Sequence, residues 1–200
     1  MSYEKIVIGI DQSYKDTGIS VCCDGVLRRV SHVNLSKYKN NTERRKVLSE
    51  TLLGVLKKCF RKSENVIIIC ERIRLRSQGF VNIDYIKSIG ALNAVIVDAA
   101  HEFDVPVFSV DTRSWKSQVV GTSKPMKNKY GVDPKKWPTI LHLKKLGHLE
   151  DIMEAGTKKK SGVLERDGVK YFLNDNAADS ACIALYGFLR ETDQKLKEEH

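Results

Sequence analysis

The stretch KIVIGIDQSYKDTGISV, which runs from Lys5 to Val21, decides the fold of this chain. Its apolar run from Ile6 to Ile10 is typical of a buried central strand, and the run ends on a carboxylate, Asp11. Polar residues and Gly18 follow before a second strand-like run, as in a tight antiparallel return. A carboxylate at the end of a buried strand needs a cation, a partner or water to compensate its lost hydration. Asp11 is therefore either a surface turn acid or a metal ligand.

A hydrophobic strand followed by this acid and glycine fits two groups of enzymes. One is the ribonuclease H-like nucleases and integrases, and the other is the actin-like and sugar-kinase ATPases, which bind phosphate at the same turn. Further acids at the ends of later strands and helices favour the nucleases, whereas a second glycine-rich phosphate loop favours the ATPases. The sequence contains no second loop of that kind, which weakens the ATPase interpretation.

The charge of the chain favours a polyanionic partner. Its 200 residues include 34 Lys and Arg against 25 Asp and Glu, a formal net charge of +9. A surface that is merely well solvated is the alternative. The five cysteines lack C-x-x-C pairs, so buried reduced thiols are favoured over disulfides or zinc ligands.

Length and hydropathy predict one soluble domain, residues 1–200. The sequence has no apolar run long enough to span a bilayer and no signal or targeting segment at its N-terminus. We therefore expect a cytoplasmic protein that does not associate with a membrane.

The order of apolar patterns predicts an α/β fold. Three antiparallel strands, joined in part by an Asp24-Gly25 turn, precede a helix and a buried strand from Val66 to Cys70. The later elements are a helix from Ile83 to Phe103, a strand from Val105 to Val110, a helix from Thr112 to Val120, a basic loop at about 121–133, a helix from Lys135 to Leu146, an inserted hairpin at about 158–173 and a helix from Asn174 to Leu189. This order gives a mixed five-stranded sheet, three strands antiparallel and then two parallel, flanked by helices.

Three acids occupy comparable positions in this order. Asp11 ends the first strand, Glu71 follows the fourth, and Asp179 lies one turn into the last helix. Oxygen ligands that converge from strand ends suit Mg²⁺, with Mn²⁺ as a substitute, and a pair of such ions can activate water for phosphodiester cleavage. The acids therefore predict a metal-dependent nuclease.

Five segments resemble the RuvC family of Holliday junction resolvases, within the ribonuclease H-like superfamily. They are IGIDQSYKDTGISV at Asp11, IICERI at Glu71, KSIGALNAVIVDAA after it, DTRSWKSQVVG around Lys116 and NAADSA at Asp179. The segments occur in the family's order and cover most of the chain. Their divergence from the usual family pattern is typical of a phage-encoded member.

The resemblance implies a role for individual residues. It places metal-binding carboxylates at Asp11, Glu71 and Asp179, and a catalytic or phosphate-contacting lysine at Lys116. A second such lysine would be Lys135 or Lys136.

Two positions depart from the family pattern. The family carries an acid or histidine three residues before the last aspartate, where this chain has Asn176. We expect Asn176 to face the metal and the neighbouring Asp175 to cap the helix, which makes Asp175 the weaker candidate ligand. The family also often carries a base-stacking aromatic at the position of Arg74, a role that Phe80 or Tyr85 could take over.

These features together predict a structure-selective, Mg²⁺-dependent endonuclease that cuts Holliday junctions and other branched DNA. A YqgF-like ribonuclease and a junction-binding protein with a degraded metal site are the alternatives. The family resemblance implies a homodimer, formed through the small-residue helix from Ile83 to Phe103. The residues expected to contact DNA phosphates are Arg72, Arg74, Arg76, Lys116, Lys124, Lys127, Lys129, Lys135 and Lys136.

Overall fold

A mixed five-stranded sheet forms the centre of the protein in a computed structural model that describes residues 2–72, 83–128, 130–156 and 163–198. Its strand order is β3-β2-β1-β4-β5, with β1, β4 and β5 parallel. The strands of this sheet are β1 (Ile6–Asp11), β2 (Asp16–Cys23), β3 (Val26–Asn34), β4 (Val66–Glu71) and β5 (Val107–Val110). The α/β fold class expected from the sequence, with three antiparallel strands followed by two parallel ones, is therefore confirmed.

Five α-helices accompany the sheet within the described residues. They are α1 (Asn41–Phe60), α2 (Ile83–His101), α3 (Thr112–Trp115), α4 (Trp137–Lys145) and α5 (Asp175–Glu198). The side chain of Asn40 caps α1 by accepting a hydrogen bond from the Glu43 amide. No described helix combines the length and apolar character that crossing a bilayer would require.

The two faces of β1 carry separate halves of the core, because successive side chains of a strand point in opposite directions. Ile6, Ile8 and Ile10 pack with the apolar sides of α1 and α2. Val7 packs on the other face with residues of α4 and α5. The strand is buried on both sides, which explains its unbroken apolar sequence.

The strand connections follow local turn chemistry. Asp24 and Gly25 both have positive φ, 48° and 80°, as a type I′ hairpin turn between β2 and β3 requires. β1 and β4 run in parallel register, with Ile10 opposite Cys70. The residues that follow in the two strands, Asp11 and Glu71, therefore lie side by side at the same edge of the sheet.

A small second sheet precedes α5. Its strands β6 (Met153–Ala155), β7 (Leu164–Arg166) and β8 (Val169–Leu173) are ordered β6-β8-β7. An Asp167-Gly168 turn joins β7 to β8. The third strand, β6, was not expected from the sequence. The part of the expected 158–173 insertion up to residue 162 lies outside the described residues. The described residues of the 121–133 loop form no helix and no extended strand.

Candidate active site

The last helix lies directly on the first two strands, with backbone against backbone. A Cβ atom on Gly9 would lie 2.2 Å from the Ser180 carbonyl oxygen, and one on Gly18 would lie 2.0 Å from that of Asn176. Any other residue at these two positions would push α5 away from the sheet. This close approach brings the first two turns of α5 to the edge of the sheet where β1 and β4 end.

Asp11 lies in a strongly desolvated, acidic environment. Burial raises the pKa of its carboxyl well above the usual range, and the charges of Asp179, Glu71 and Asp175 raise it further. The Lys116 ammonium acts in the opposite direction. Four acids from two strands and one helix are therefore close enough to repel one another, and the three acids expected from the sequence are among them.

Asp179 shares this environment. Burial raises its pKa to about 6, while Lys116 opposes the increase and Glu71 and Asp175 add to it. Lys116 Nζ lies 3.9 Å from Asp179 Oδ2. Asp179 Oδ1 is buried and has no hydrogen-bond partner in the described part of the chain. The Thr139 hydroxyl lies close enough to Asp179 to lower the pKa of its carboxyl. Neither Thr139 Oγ1 nor Asp179 Oδ1 makes a hydrogen bond of normal geometry with a described residue.

Lys116 is held in place by its neighbour in sequence. α3 ends at Trp115, and residues Lys116–Val120 continue as a π-helical turn where the sequence predicted one regular helix. Trp115 is fully buried, and the Lys116 ammonium lies 4.9 Å from the centre of its ring. Wide helical turns of this kind occur frequently at functional sites, where they redirect a side chain. Here the turn directs Lys116 toward Asp179.

Two polar residues that the sequence analysis did not select hold Glu71. The Thr112 hydroxyl donates to Glu71 Oε1, and the Gln12 side-chain amide donates to the Glu71 carbonyl oxygen. Gln12 directly follows Asp11, and Thr112 begins α3 after the parallel strand β5. Both residues follow strands at the same sheet edge, a signal that could have identified them.

The first turn of α5 differs from the arrangement expected from the sequence. The cap is Asn174 and not Asp175, because Asn174 Oδ1 accepts the Ala177 amide hydrogen at 3.0 Å. Asp175 forms an ion pair with Lys136, and its charge reaches both Asp11 and Asp179. The Asn176 amide donates to the Asp16 carbonyl oxygen of β2. Successive residues of a helix point about 100° apart, so Asp175 and Asn176 face different directions. The packing of α5 on Gly18 turns Asn176 toward β2.

The four acids fit divalent cations. They offer hard oxygen donors, they repel one another despite the nearby Lys116 and Lys136, and they include a buried oxygen without a partner among the described residues. A nearby cation stabilises the charged form of partly buried carboxylates that face one another. The acids that offer these oxygens are Asp11, Glu71, Asp175 and Asp179.

A second cluster could also hold a metal ion. Asp16, His32 and Glu154 each offer a ligand atom, and these atoms lie within 4.8 Å of one another. The His32 ring contacts Asp16 Oδ1 at 2.5 Å through Nδ1 and Glu154 Oε1 at 3.2 Å through Nε2. The Asn174 amide donates to Asp16 and to Glu154. None of these residues was selected from the sequence, because they come from separate elements and have no motif spacing.

The candidate DNA-contacting residues are only partly described. Arg74, Arg76 and Lys129, together with the proposed stacking residue Phe80, lie outside the described residues. The side chains of Arg72, Lys124, Lys127 and Lys135 are exposed, and Tyr85 is 57% exposed on α2. Lys116 and Lys136 instead lie at the acid cluster, each beside one aspartate.

Comparison with known proteins identifies the fold. Neither the protein-family models nor the curated proteins that were searched match the chain. A Thermus thermophilus RuvC structure matches with a TM-score of 0.58 and 20% identity, covering 94% of this chain and 96% of the other. T. thermophilus RuvC in complex with a Holliday junction substrate gives 0.60 and 19% over the same shares. The yeast mitochondrial Holliday junction resolvase gives 0.52 and 16%, covering 100% and 87%. The chain thus has the fold of the RuvC-type Holliday junction resolvases that its sequence motifs resemble.

Proposed function

We propose that this protein is a divalent-metal-dependent endonuclease that cuts Holliday junctions and other branched DNA. The observation that carries the proposal is the desolvated set of four acids beside Lys116, at the edge where β1 and β4 end. One of the matched structures is a RuvC in complex with a Holliday junction substrate, and another is a Holliday junction resolvase. The net charge of +9 fits a nucleic-acid substrate.

The acids would hold the cations, with Asp175 in place of Asn176 as the fourth ligand. Bound divalent cations supply an activated water and stabilise the leaving oxygen of the phosphodiester. Mg²⁺ is the expected ion and Mn²⁺ its substitute, because all four ligands are carboxylates. Thr112 orients the Glu71 carboxylate, and Gln12 holds the main-chain carbonyl of the same residue.

Lys116 is placed to act on the substrate. Its contact with the Trp115 ring leaves the ammonium at the acid cluster, with its side chain 13% exposed. A cation fixed at this place stabilises the negative charge that develops on a phosphoryl group during cleavage. Lys136 holds Asp175 in the same way that Lys116 accompanies Asp179.

Cleavage of labelled substrates tests the activity. We expect the protein to cut a four-way junction in Mg²⁺ or Mn²⁺, to leave linear duplex intact and to be inactive in chelator. Asp179→Asn should lower the cleavage rate by at least about a hundredfold, since the loss of outer-shell partners alone costs 10- to 100-fold at metal sites. Glu50→Gln, which removes an exposed carboxylate 64% accessible on α1, is the matched control and should retain full activity.

The same assay separates the alternatives. Preferential cutting of RNA substrates would support a YqgF-like ribonuclease. Junction binding without cutting in either ion would support a binding protein with a degraded metal site, and would refute the proposed activity.

We further propose that the domain acts as a homodimer through α2. A four-way junction has two-fold symmetry, and cutting both sides needs two sites related by a matching axis. Gly90, Ala94 and Val97 lie on one exposed face of α2, and Val97 lies near Ser109 of β5. Sedimentation at micromolar concentration should give a dimer, and Ala94→Arg should shift it toward monomer. A monomeric parent protein would refute the arrangement.

A further inference from the structure

A basic cavity of about 390 Å³ lies on the α1 and α2 side of the sheet, apart from the acid cluster. The turn after β1 and the N-terminal parts of α1 and α2 line it. Three cations, Arg44, Arg45 and Lys87, face one carboxylate, Asp84, among its lining residues. None of these cations forms an ion pair in the described part of the chain, so three positive charges stand against one negative charge among the lining residues.

The wall of the cavity is fixed. Arg44 lies over the Tyr14 ring with its guanidinium carbon 4.2 Å from the ring centre, and it donates two hydrogen bonds to the Tyr38 carbonyl oxygen, at 3.1 and 2.9 Å. The Tyr14 hydroxyl donates to Asn41 Oδ1. Arg44 Nη1 is left without a hydrogen-bond partner among the described residues. Arg45 and Lys87 are exposed at the rim, so both side chains are accessible to an anion, and Arg45 Nε donates a long hydrogen bond of 3.4 Å to the Asn41 carbonyl oxygen.

The cavity adjoins the acid cluster along the chain. Tyr14 belongs to the turn that follows Asp11 at the end of β1, so this turn connects the acid cluster to the wall of the cavity. The positive ends of the α1 and α2 dipoles add to the attraction for an anion. Guanidinium groups match the geometry of phosphate oxygens, and unpaired cations on a nucleic-acid-binding protein gain affinity by displacing counterions from phosphates.

We propose that this cavity, with Arg45 and Lys87 at its rim, binds a backbone phosphate of the DNA substrate outside the cleavage site. The proposal rests on the proposed function, because it takes the substrate to be DNA. It assigns a phosphate contact to a surface that carries none of the residues selected from the sequence. The contact would fix one arm of a branched substrate relative to the acids.

Fluorescence anisotropy with a labelled four-way junction in chelator tests the contact without cleavage. Arg45→Glu should weaken binding by about tenfold at 50 mM salt and about 2.5-fold at 200 mM, and should reduce the slope of log affinity against log salt by about 1. Lys87→Ala should produce an effect of the same kind. Lys57→Glu, at the exposed C-terminal end of α1, makes the same charge change and should leave both quantities close to those of the parent.

The outcomes distinguish the cavity from the activity. Equal binding by Arg45→Glu and Lys57→Glu would overturn the cavity assignment, even if the parent protein cuts junctions normally. A clear loss for Arg45→Glu alone, in a protein that does not cut in Mg²⁺ or Mn²⁺, would support the phosphate site and overturn the nuclease. A parent protein that binds no DNA at 50 mM salt would overturn both.

Discussion

Two clusters of carboxylates meet at the first turn of α5, and they differ in the groups that surround them. Asp16 and Glu154 are surrounded by donors, with His32 between them and the Asn174 amide on both. Asp11 and Asp179 face other carboxylates, and burial raises the pKa of both. The first arrangement joins β2, β3, β6 and α5 through satisfied hydrogen bonds. In the second, Lys116 and Lys136 offset only part of the repulsion among four carboxylates, an arrangement that favours the binding of cations.

The alternation of residues along the start of α5 separates the two clusters. Asn174 and Asn176 serve the hydrogen-bonded side, whereas Asp175 and Asp179 serve the acid side. Asn174 and Asn176 thus anchor the start of α5, whereas Asp175 and Asp179 belong to the acid cluster. The difference shows that the surroundings of a carboxylate, and not its acidity alone, decide whether its charge is satisfied by the protein.

The largest expected effect that tests this difference is a pH- and metal-dependent change in stability. The Asp179 pKa is about 6 in the folded protein, above its ordinary value of 3.8, so its contribution to stability is present below pH 4 and is lost as the pH rises through 6. In chelator, the stability of the parent relative to Asp179→Asn should fall by up to about 3 kcal/mol between pH 4 and pH 7. The 17% exposure of the side chain reduces this amount through solvent screening.

Chemical unfolding at each pH, with and without Mg²⁺, measures the change. Mg²⁺ should restore stability to the parent at pH 7, by about 2.7 kcal/mol at a concentration 100 times the dissociation constant. Asp179→Asn should gain less. A parent protein whose relative stability does not depend on pH or on Mg²⁺ would remove the distinction between the two clusters.

A smaller effect is expected from substituting Asp175 and Asn176, which are neighbours in the first turn of α5. Asp175→Asn should lower cleavage by about 10- to 100-fold with little loss of stability, because it removes a charge from the acid cluster. Asn176→Ala should instead leave cleavage close to normal and cost about 1 kcal/mol of stability, because the Asp16 carbonyl loses its donor. Paired cleavage and unfolding measurements on the two variants decide between these roles. If Asn176→Ala lowered cleavage and Asp175→Asn did not, Asn176 and not Asp175 would be the metal ligand.

Much of the fold follows from local sequence. The apolar run before Asp11, the positive-φ turn at Asp24 and Gly25, and the five apolar residues before Glu71 are short-range signals that fix strands and their ends. The sequence motifs also predicted the RuvC-like fold, which the structural comparison confirms. Strand polarity then follows from the order of the elements, since parallel strands need a crossover helix between them.

Tertiary structure alone decided which polar side chains share a site. Asp16, His32 and Glu154 are distant in sequence, and only the pairing of β2 with β3 and the placement of β6 bring them together. The cavity at Arg45 and Lys87 likewise depends on how α1 and α2 pack. The sequence by itself determined that acids stand at the ends of β1 and β4. The close contact of α5 at Gly9 and Gly18 decided that Asp175 joins them and Asn176 does not, because the rotation of a helix is set by what it packs against.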